Sequence, residues 1–525
     1  MRKHWNALAK ETRWVILLAV GFVLFRVGIA SLSGFGFHQG WNEGHYALIA
    51  SGFLDHPLVP RYGDNFVYNV PPLFPYAVSA SFLLFGESVL AARLPSILAT
   101  GGLIIATYEL GREVFGDRST ALVGALIFAT LPYVQLFGGR AQTDMLMVFF
   151  VTTSVTAIVK GYRRQIYYRR WIVVGAASFA AAVATKQPAL AVSGIVFFWL
   201  LGNRRFDRDA IRRTALLIAT SAICLLPVAG WFYLNYVTAP AAFVADWEHE
   251  LLSRTPPFAN VRLLVAIAFG LGVTPPVIFA STVGFFTDIR DAFEGSRINL
   301  TGDKGPSILL WWLLFYGIFV LVRTPHGHQY YAVILTPPIA LISAQGIQAI
   351  ATRFDGLKGY GRKSVRVVLI VFVLSSTVAG TVVLFELSGE FSAANGGGTT
   401  IASEAGDFVI EETASDATIL VSNGYAPPLK WYVKDDRSVE QVEAYHVSSL
   451  TKQRIQSTIS ESEGAVYVVL PSPSWGKLPA ENSEEIYHTA PYRFTLASYV
   501  GDYVATDSKF TFYLNDRRLV IYRVE

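Results

Sequence analysis

Residues 14–33 read WVILLAVGFVLFRVGIASLS. As an α-helix, a run of this length covers roughly the 30 Å hydrocarbon core of a bilayer. A cleaved export signal has a shorter apolar core followed by a small-residue cleavage site, so this run reads as a retained first membrane helix. Moving outward along the chain, apolar stretches of similar length recur at 89–111, 119–138, 142–160, 171–185, 187–202, 213–236, 262–283, 306–322, 330–350 and 366–386. The expected fold is therefore a polytopic α-helical membrane protein with about eleven spans. The stretch 73–86 (LFPYAVSASFLLFG) is apolar but short and proline-bounded, and is expected to lie along the membrane edge.

Composition agrees. Of 525 residues, 52% are hydrophobic and 16% charged, and the mean hydropathy is +0.40. Soluble domains carry about 25% charged residues. The single cysteine, Cys224, lies in the apolar run SAICLLPVAGW, so no disulfide framework exists and the thiol reads as a small buried hydrophobe. The net charge of +4 is modest, and no nucleic-acid partner is expected.

Where the charges lie says more than their sum. KGYRRQIYYRR (160–170), NRRFDRDAIRR (203–213) and RFDGLKGYGRKSVR (353–366) all fall on one side if the N-terminus is cytoplasmic. The opposite loops hold only Arg61, Arg140, Lys186, Arg254, Arg262 and Arg323. The positive-inside rule then places the N-terminus in the cytoplasm of a multi-pass plasma-membrane protein. His38, His45, His56, His249, His326 and His328 all fall in outer loops, which marks the outer face as the place where titratable chemistry gathers.

Three domains follow: a transmembrane part over 1–386 with a large first outer loop (34–88), a Gly/Ser-rich linker over 387–400, and a small extracytoplasmic α/β domain over 401–525. The last rests on short strand-like runs (ATILVS, AVYVVL, FTFYL, RLVIYRV) alternating with helical segments such as IASEAGDFVIEETA.

The first outer loop opens GFGFHQGWNEGHYALIASGFLDHPLVPRYGDNFVYNVPP (34–72). Long loops of this kind usually carry function. Carboxylates at a membrane edge are costly and invite a functional reading, although Glu43 also suits a plain helix N-terminal charge. A second outer segment, GGRAQTDMLM (138–147), puts Arg140 and Asp144 four apart, a spacing that an ordinary intrahelical ion pair explains equally well. A third, RTPHGHQYYAVILTPP (323–338), brings His328 and Tyr331 to the start of a span. No tight ligand spacing marks a metal site. Glu43, His45 and Asp144 are the candidates should a divalent cation such as magnesium or manganese be used.

In this order, these segments resemble the C-type membrane glycosyltransferases (GT-C) that take sugar from a polyprenyl-phosphate carrier, in particular the protein O-mannosyltransferase and lipid A aminoarabinose transferase group. The family's first outer loop carries an Asp-Glu pair followed three residues on by Tyr; here it reads Asn42, Glu43, Gly44, His45, Tyr46. A Pro-Pro element (Pro71, Pro72) and FGESVLAARLPSILA (85–99) follow, then Arg140 with Asp144, then Tyr331 with Pro337 and Pro338.

The resemblance implies sugar transfer to a hydroxyl or amine of a glycan, lipid or protein at the outer face, with inversion, as part of cell-envelope glycosylation. It makes Glu43 the base with Asp144 its partner, since the amide of Asn42 cannot take a proton. Arg61, Arg140, Lys186 and Arg323 become candidate donor-phosphate contacts, and Asn42, His45, Tyr46, Tyr68, His328 and Tyr331 line the substrate pocket. Two other readings compete: a transporter or flippase of lipid-linked sugars, and a membrane sensor acting through the C-terminal domain. Transporters tend to place polar groups near the midplane in paired halves, whereas here they cluster at one face.

Overall fold

The structure is a computed structural model. It describes residues 8–35, 37–62, 65–68, 70–164, 166–202, 208–252, 272–294, 307–323, 329–354, 361–387, 401–422, 426–436, 442–445, 460, 462, 464–472, 483–488, 492–493 and 516–524.

Helix α1 (Lys10–Ala30) is the first apolar run, and α2 (Phe37–Asp55) follows it after a short turn. A two-residue hairpin, β1 (Arg61–Tyr62) with β2 (Asn65–Phe66), leads to α3 (Leu73–Phe85) and α4 (Val89–Phe115). Ser88 caps α4 by accepting from the Ala91 N–H at 3.1 Å. Gly116, at φ +68°, ends α4 in the left-handed conformation that glycine adopts without penalty. Asp117 then caps α5 (Arg118–Thr130), accepting from the N–H groups of Ser119 and Thr120. Next come α6 (Pro132–Phe137), α7 (Thr143–Arg163), α8 (Tyr168–Thr185), a 3-10 turn over Gln187–Leu190, α9 (Ala191–Gly202), α10 (Arg208–Thr238) and α11 (Pro240–Leu252). Beyond 271 lie α12 (Pro275–Glu294), α13 (Ser307–Arg323), a 3-10 segment over Gln329–Leu335, α14 (Thr336–Arg353) and α15 (Arg362–Leu387).

Six helical segments are long and apolar enough to cross a membrane, and several shorter apolar helices accompany them. The chain is thus a multi-pass helical membrane protein, and most expected spans coincide with helices. The eighth is described only in part. Its first part, 262–271, lies outside the described residues; the described helix there starts at Pro275, where the Pro275-Pro276 pair suits a first helical turn.

One apolar core joins α1, α4, α5, α7, α12 and α14 through residues such as Phe22, Leu103, Phe128, Val151, Val277 and Leu341. Close packing of small residues tightens it. A Cβ at Gly284 of α12 would sit 2.1 Å from the Ile342 carbonyl oxygen, and one at Gly346 of α14 would sit 1.8 Å from that of Ala280. These helices therefore meet backbone to backbone, the contact that small residues permit within membranes. By contrast, α10 and α15 are largely exposed apolar helices, as helices facing lipid must be.

The chain beyond 400 contributes α16 (Ile401–Glu412), β3 (Thr418–Ser422), α17 (Ala426–Val433), β4 (Val442–Tyr445), β5 (Val466–Ser472), β6 (Ser483–His488), β7 (Tyr492–Arg493) and β8 (Asp516–Val524). The strands order as β4-β3-β5-β8-β6, with β7 also on β8. Strand β3 pairs parallel with β4 and β5, while β8 runs antiparallel to β5 and β6. Val409 of α16 and Leu429 and Val433 of α17 pack on Ile419, Val421 and Val469 of the sheet. The expected strand FTFYL (510–514) and the linker lie outside the described residues.

Candidate active site

The end of the bundle that carries α2 holds two buried ion pairs, Glu43 with Arg93 and Asp144 with Lys186. Helix α2 begins at Phe37, so Glu43 lies in its second turn rather than at its N-terminus. Its carboxylate is fully buried. Arg93 of α4 grips it with both arms: Nε donates to Oε1 at 2.7 Å and Nη2 to Oε2 at 2.9 Å. The Ala141 N–H donates to Oε1 at 3.0 Å, and Arg140 Nη1 lies 3.6 Å from Oε2. The rest of the Arg93 fork is spent on the Ser33 hydroxyl and the carbonyls of Ser33 and Gly34. A carboxylate accepts roughly four hydrogen bonds. Glu43 therefore joins the end of α1, α2, α4 and the α6–α7 turn into one rigid unit.

The α6–α7 turn requires glycine. A Cβ at Gly139 would fall 1.7 Å from the guanidinium of Arg26, which is buried beneath it on α1 and lies over the Phe385 ring. Ser96 of α4 donates to the Gln142 carbonyl at 2.9 Å and fixes the far side of the same turn. The chain then enters α7, which places Asp144 in the first helical turn, where the helix dipole favours an anion.

Asp144 is the centre of the second pair. Lys186, extended at the end of α8, donates to Asp144 Oδ1 at 2.8 Å. The same ammonium lies 4.6 Å from the ring centroid of Tyr330 and 4.3 Å from that of Tyr331. Tyr46 of α2 faces Lys186, Asp144 and Tyr331, and burial raises its hydroxyl above the ordinary tyrosine range. One turn of α2 thus offers Glu43 to the arginines and Tyr46 to the lysine–aspartate pair.

His45 is also buried on α2, stacked on Trp41 at 4.7 Å and edge-on to Tyr46 at 5.4 Å. Burial lowers it to a pKa of about 4, so the ring is neutral at physiological pH.

The Arg140–Asp144 spacing does not produce the intrahelical pair it suggests. Arg140 precedes the helix and faces Glu43, while Asp144 faces Lys186. Tyr46 and Tyr331 join the cluster. Asn42 is half-buried on α2, and Tyr68 is buried with its ring 6.2 Å from Phe243. Arg61 is half-buried on β1 and, among the described residues, forms no ion pair with the cluster. His328 lies outside the described residues, as does the side chain of Arg323. Two residues were missed from sequence, Arg93 and Arg26. Both carried one usable signal, an arginine inside an apolar helix, which is costly unless it has a buried partner.

Among the described residues, no three His, Cys, Asp or Glu side chains gather as a metal site. A cation on Glu43 would have to share it with two guanidiniums. This arrangement at Glu43 does not fit a metal.

Comparison with known proteins adds the context. Residues 69–233 match the family described as dolichyl-phosphate-mannose-protein mannosyltransferase. A protein of Aquifex aeolicus without assigned function is 26% identical over 69% of this chain and 68% of its own. An undecaprenyl phosphate-alpha-4-amino-4-deoxy-L-arabinose arabinosyl transferase of Pseudomonas fluorescens is 21% identical over 80% of this chain and 84% of its own.

In fold, the chain is similar to ArnT from Cupriavidus metallidurans bound to undecaprenyl phosphate. The TM-score is 0.65 at 15% identity, covering 97% of this chain and 98% of that one. It is also similar to the archaeal oligosaccharyltransferase AglB from Archaeoglobus fulgidus, with a TM-score of 0.59 at 12% identity over 87% of this chain and 69% of that one. In sequence and fold together, the chain is similar to the C-type membrane glycosyltransferases, which supports a glycosyltransferase activity.

Proposed function

We propose that the chain transfers a sugar from a polyprenyl-phosphate donor to a hydroxyl or amine acceptor at the outer face of the plasma membrane. In this reading the N-terminus is cytoplasmic and the C-terminal part extracytoplasmic. The observation that carries the reading is the buried Lys186–Asp144 pair, walled by Tyr46, Tyr330 and Tyr331. The similarity to a fold solved with undecaprenyl phosphate supports the donor class.

A sugar already joined to phosphate has a good leaving group, whose developing charge needs a fixed cation in a site shielded from water. Lys186 supplies that cation as a point charge, and Arg140 stands on the α6–α7 turn that leads to Asp144. The acceptor needs a base. Glu43 has its oxygens committed to Arg93 and the Ala141 N–H, whereas Asp144, among the described residues, pairs with one side chain, Lys186. Asp144 is therefore the better base, and Glu43 holds the frame.

When donor phosphate engages Lys186, the lysine is drawn from Asp144, and the freed carboxylate accepts the acceptor's proton. The acceptor oxygen or nitrogen bonds to the anomeric carbon as the carbon–oxygen bond to phosphate breaks. Its electron pair leaves with polyprenyl phosphate, and in-line attack inverts the centre.

The test follows release of polyprenyl phosphate by purified protein in lipid fed labelled polyprenyl-phosphate sugars. Asp144→Asn should lower kcat by about two to three orders of magnitude, and Lys186→Ala should lower kcat as well as raise the donor KM. Unchanged turnover in both variants would refute the assignment.

A further inference from the structure

Helix α17 of the C-terminal part does not lie apart from the membrane bundle. It presses on α2 from the side opposite the lysine–aspartate pair. A Cβ at Gly44 would stand 2.7 Å from the Pro427 carbonyl carbon and 2.8 Å from the Pro428 nitrogen, so the two backbones touch there. Trp431 packs with Ala47 and Leu48 of α2, with its ring 5.5 Å from Phe35 and 5.6 Å from Phe82. The Tyr432 hydroxyl accepts from the Phe35 N–H at 2.9 Å. Lys434 closes the contact with a 2.6 Å ion pair to Glu87, which also accepts from Ser51 of α2. Burial works against the Lys434 charge, but Glu87 and Asp435 outweigh it and raise its pKa.

Positions 44, 47 and 48 form one face of α2, because residues three and four apart share a face. Glu43 and Tyr46 project from the other sides toward α4 and Lys186. Helix α2 is thus held between α17 and the reacting groups, and nothing thicker than a hydrogen atom separates it from α17 at Gly44. A shift of α17 passes directly to Tyr46.

We infer that α17 is a positioning element of the transfer site: its Pro427-Pro428 step and Trp431 set the depth of α2, and Lys434–Glu87 sets its register. This rests on the transferase reading for its activity readout. It makes Gly44, Trp431, Lys434 and Glu87 positioning residues, which act through α2 without touching substrate. A misplacement of about 1 Å at a reacting group costs on the order of a hundredfold in rate.

The test uses the full chain in lipid with Lys434→Glu, Glu87→Lys, the double charge exchange, and Gly44→Ala. Both single reversals should lower kcat about tenfold and leave the donor KM within about threefold, since Lys186 is not moved. The double exchange should restore kcat to within about threefold of the unaltered protein. Gly44→Ala should lower kcat further, with faster amide exchange across 37–55. Unaltered kcat in the folded single reversals and in Gly44→Ala overturns the inference, as does a double exchange no better than either single. Should the unaltered protein consume no polyprenyl-phosphate sugar, the transferase reading fails. Amide exchange across 37–55 in Gly44→Ala and the charge reversals then decides the clamp alone: unchanged protection overturns it, and lost protection recovered by the double exchange upholds it.

Discussion

Helices α4 and α7 carry charge at both ends, and the two ends are built differently. Near the start of each, Arg93 grips Glu43 and Asp144 meets Lys186, all buried. Some sixteen residues further along, roughly 24 Å on a helix, Glu109 pairs with Arg112 at 2.5 Å and with Lys160 at 2.7 Å, while Glu113 pairs with Arg164. That second network is part-exposed, at 25% for Glu109, 28% for Arg112 and 45% for Arg164. Lys160 and Arg164 also lie over the Trp171 ring. Charges near water cost little to keep and contribute little. Charges sealed from water are costly unless matched, and they persist where the site's chemistry needs them.

The comparison breaks most sharply at Lys186. Lys186→Ala should reduce kcat/KM by about two to three orders of magnitude, because it removes the cation proposed to face the leaving phosphate. Glycosyl-transfer assays in reconstituted lipid read this directly.

Next is Arg93→Ala, which takes from a buried carboxylate its two-armed partner and should cost about 3–5 kcal/mol of stability. Arg93→Lys should recover only part of it, since a lysine cannot grip both oxygens. Chemical unfolding in detergent measures both.

A smaller effect belongs to His45. Its folded pKa of about 4 lies below the ordinary value of 6.5, so between these values the unfolded chain binds the proton and the folded chain does not. Its contribution is complete above about pH 6.5 and is lost as pH falls toward 4, by at most about 3 kcal/mol. A melting series from pH 7.5 to 4.5 should be flatter for His45→Gln than for the unaltered protein. Equal slopes would show that His45 takes up its proton without cost.

At the far end, Arg112→Ala should change stability by only about 0.5 kcal/mol and leave turnover alone. A loss of turnover there would erase the distinction between the two ends.

The helices themselves were legible, because apolar length is a local property of sequence. So was the grouping of Asp144, Lys186 and Tyr331, which stand at span ends, with Tyr46 of the first outer loop. What could not be read was pairing across the fold. Glu43 and Arg93 are fifty positions apart, and nothing local says that α4 turns its arginine toward α2. For the same reason Arg140 and Asp144 suggested each other and found other partners. The segment APPLKWYV (426–433) gave no hint that it would dock on Gly44, since that contact depends on a missing Cβ nearly four hundred residues away.

The central claim is that Asp144, released from Lys186 by donor phosphate, is the base, while Glu43 frames the site. The most direct measurement is single-turnover sugar transfer in lipid by Asp144→Asn at saturating donor, with bound polyprenyl phosphate quantified alongside. The account predicts donor bound as in the unaltered protein and transfer slowed at least a hundredfold. Transfer at the unaltered rate with Asp144 neutralised would contradict it and return the base to Glu43.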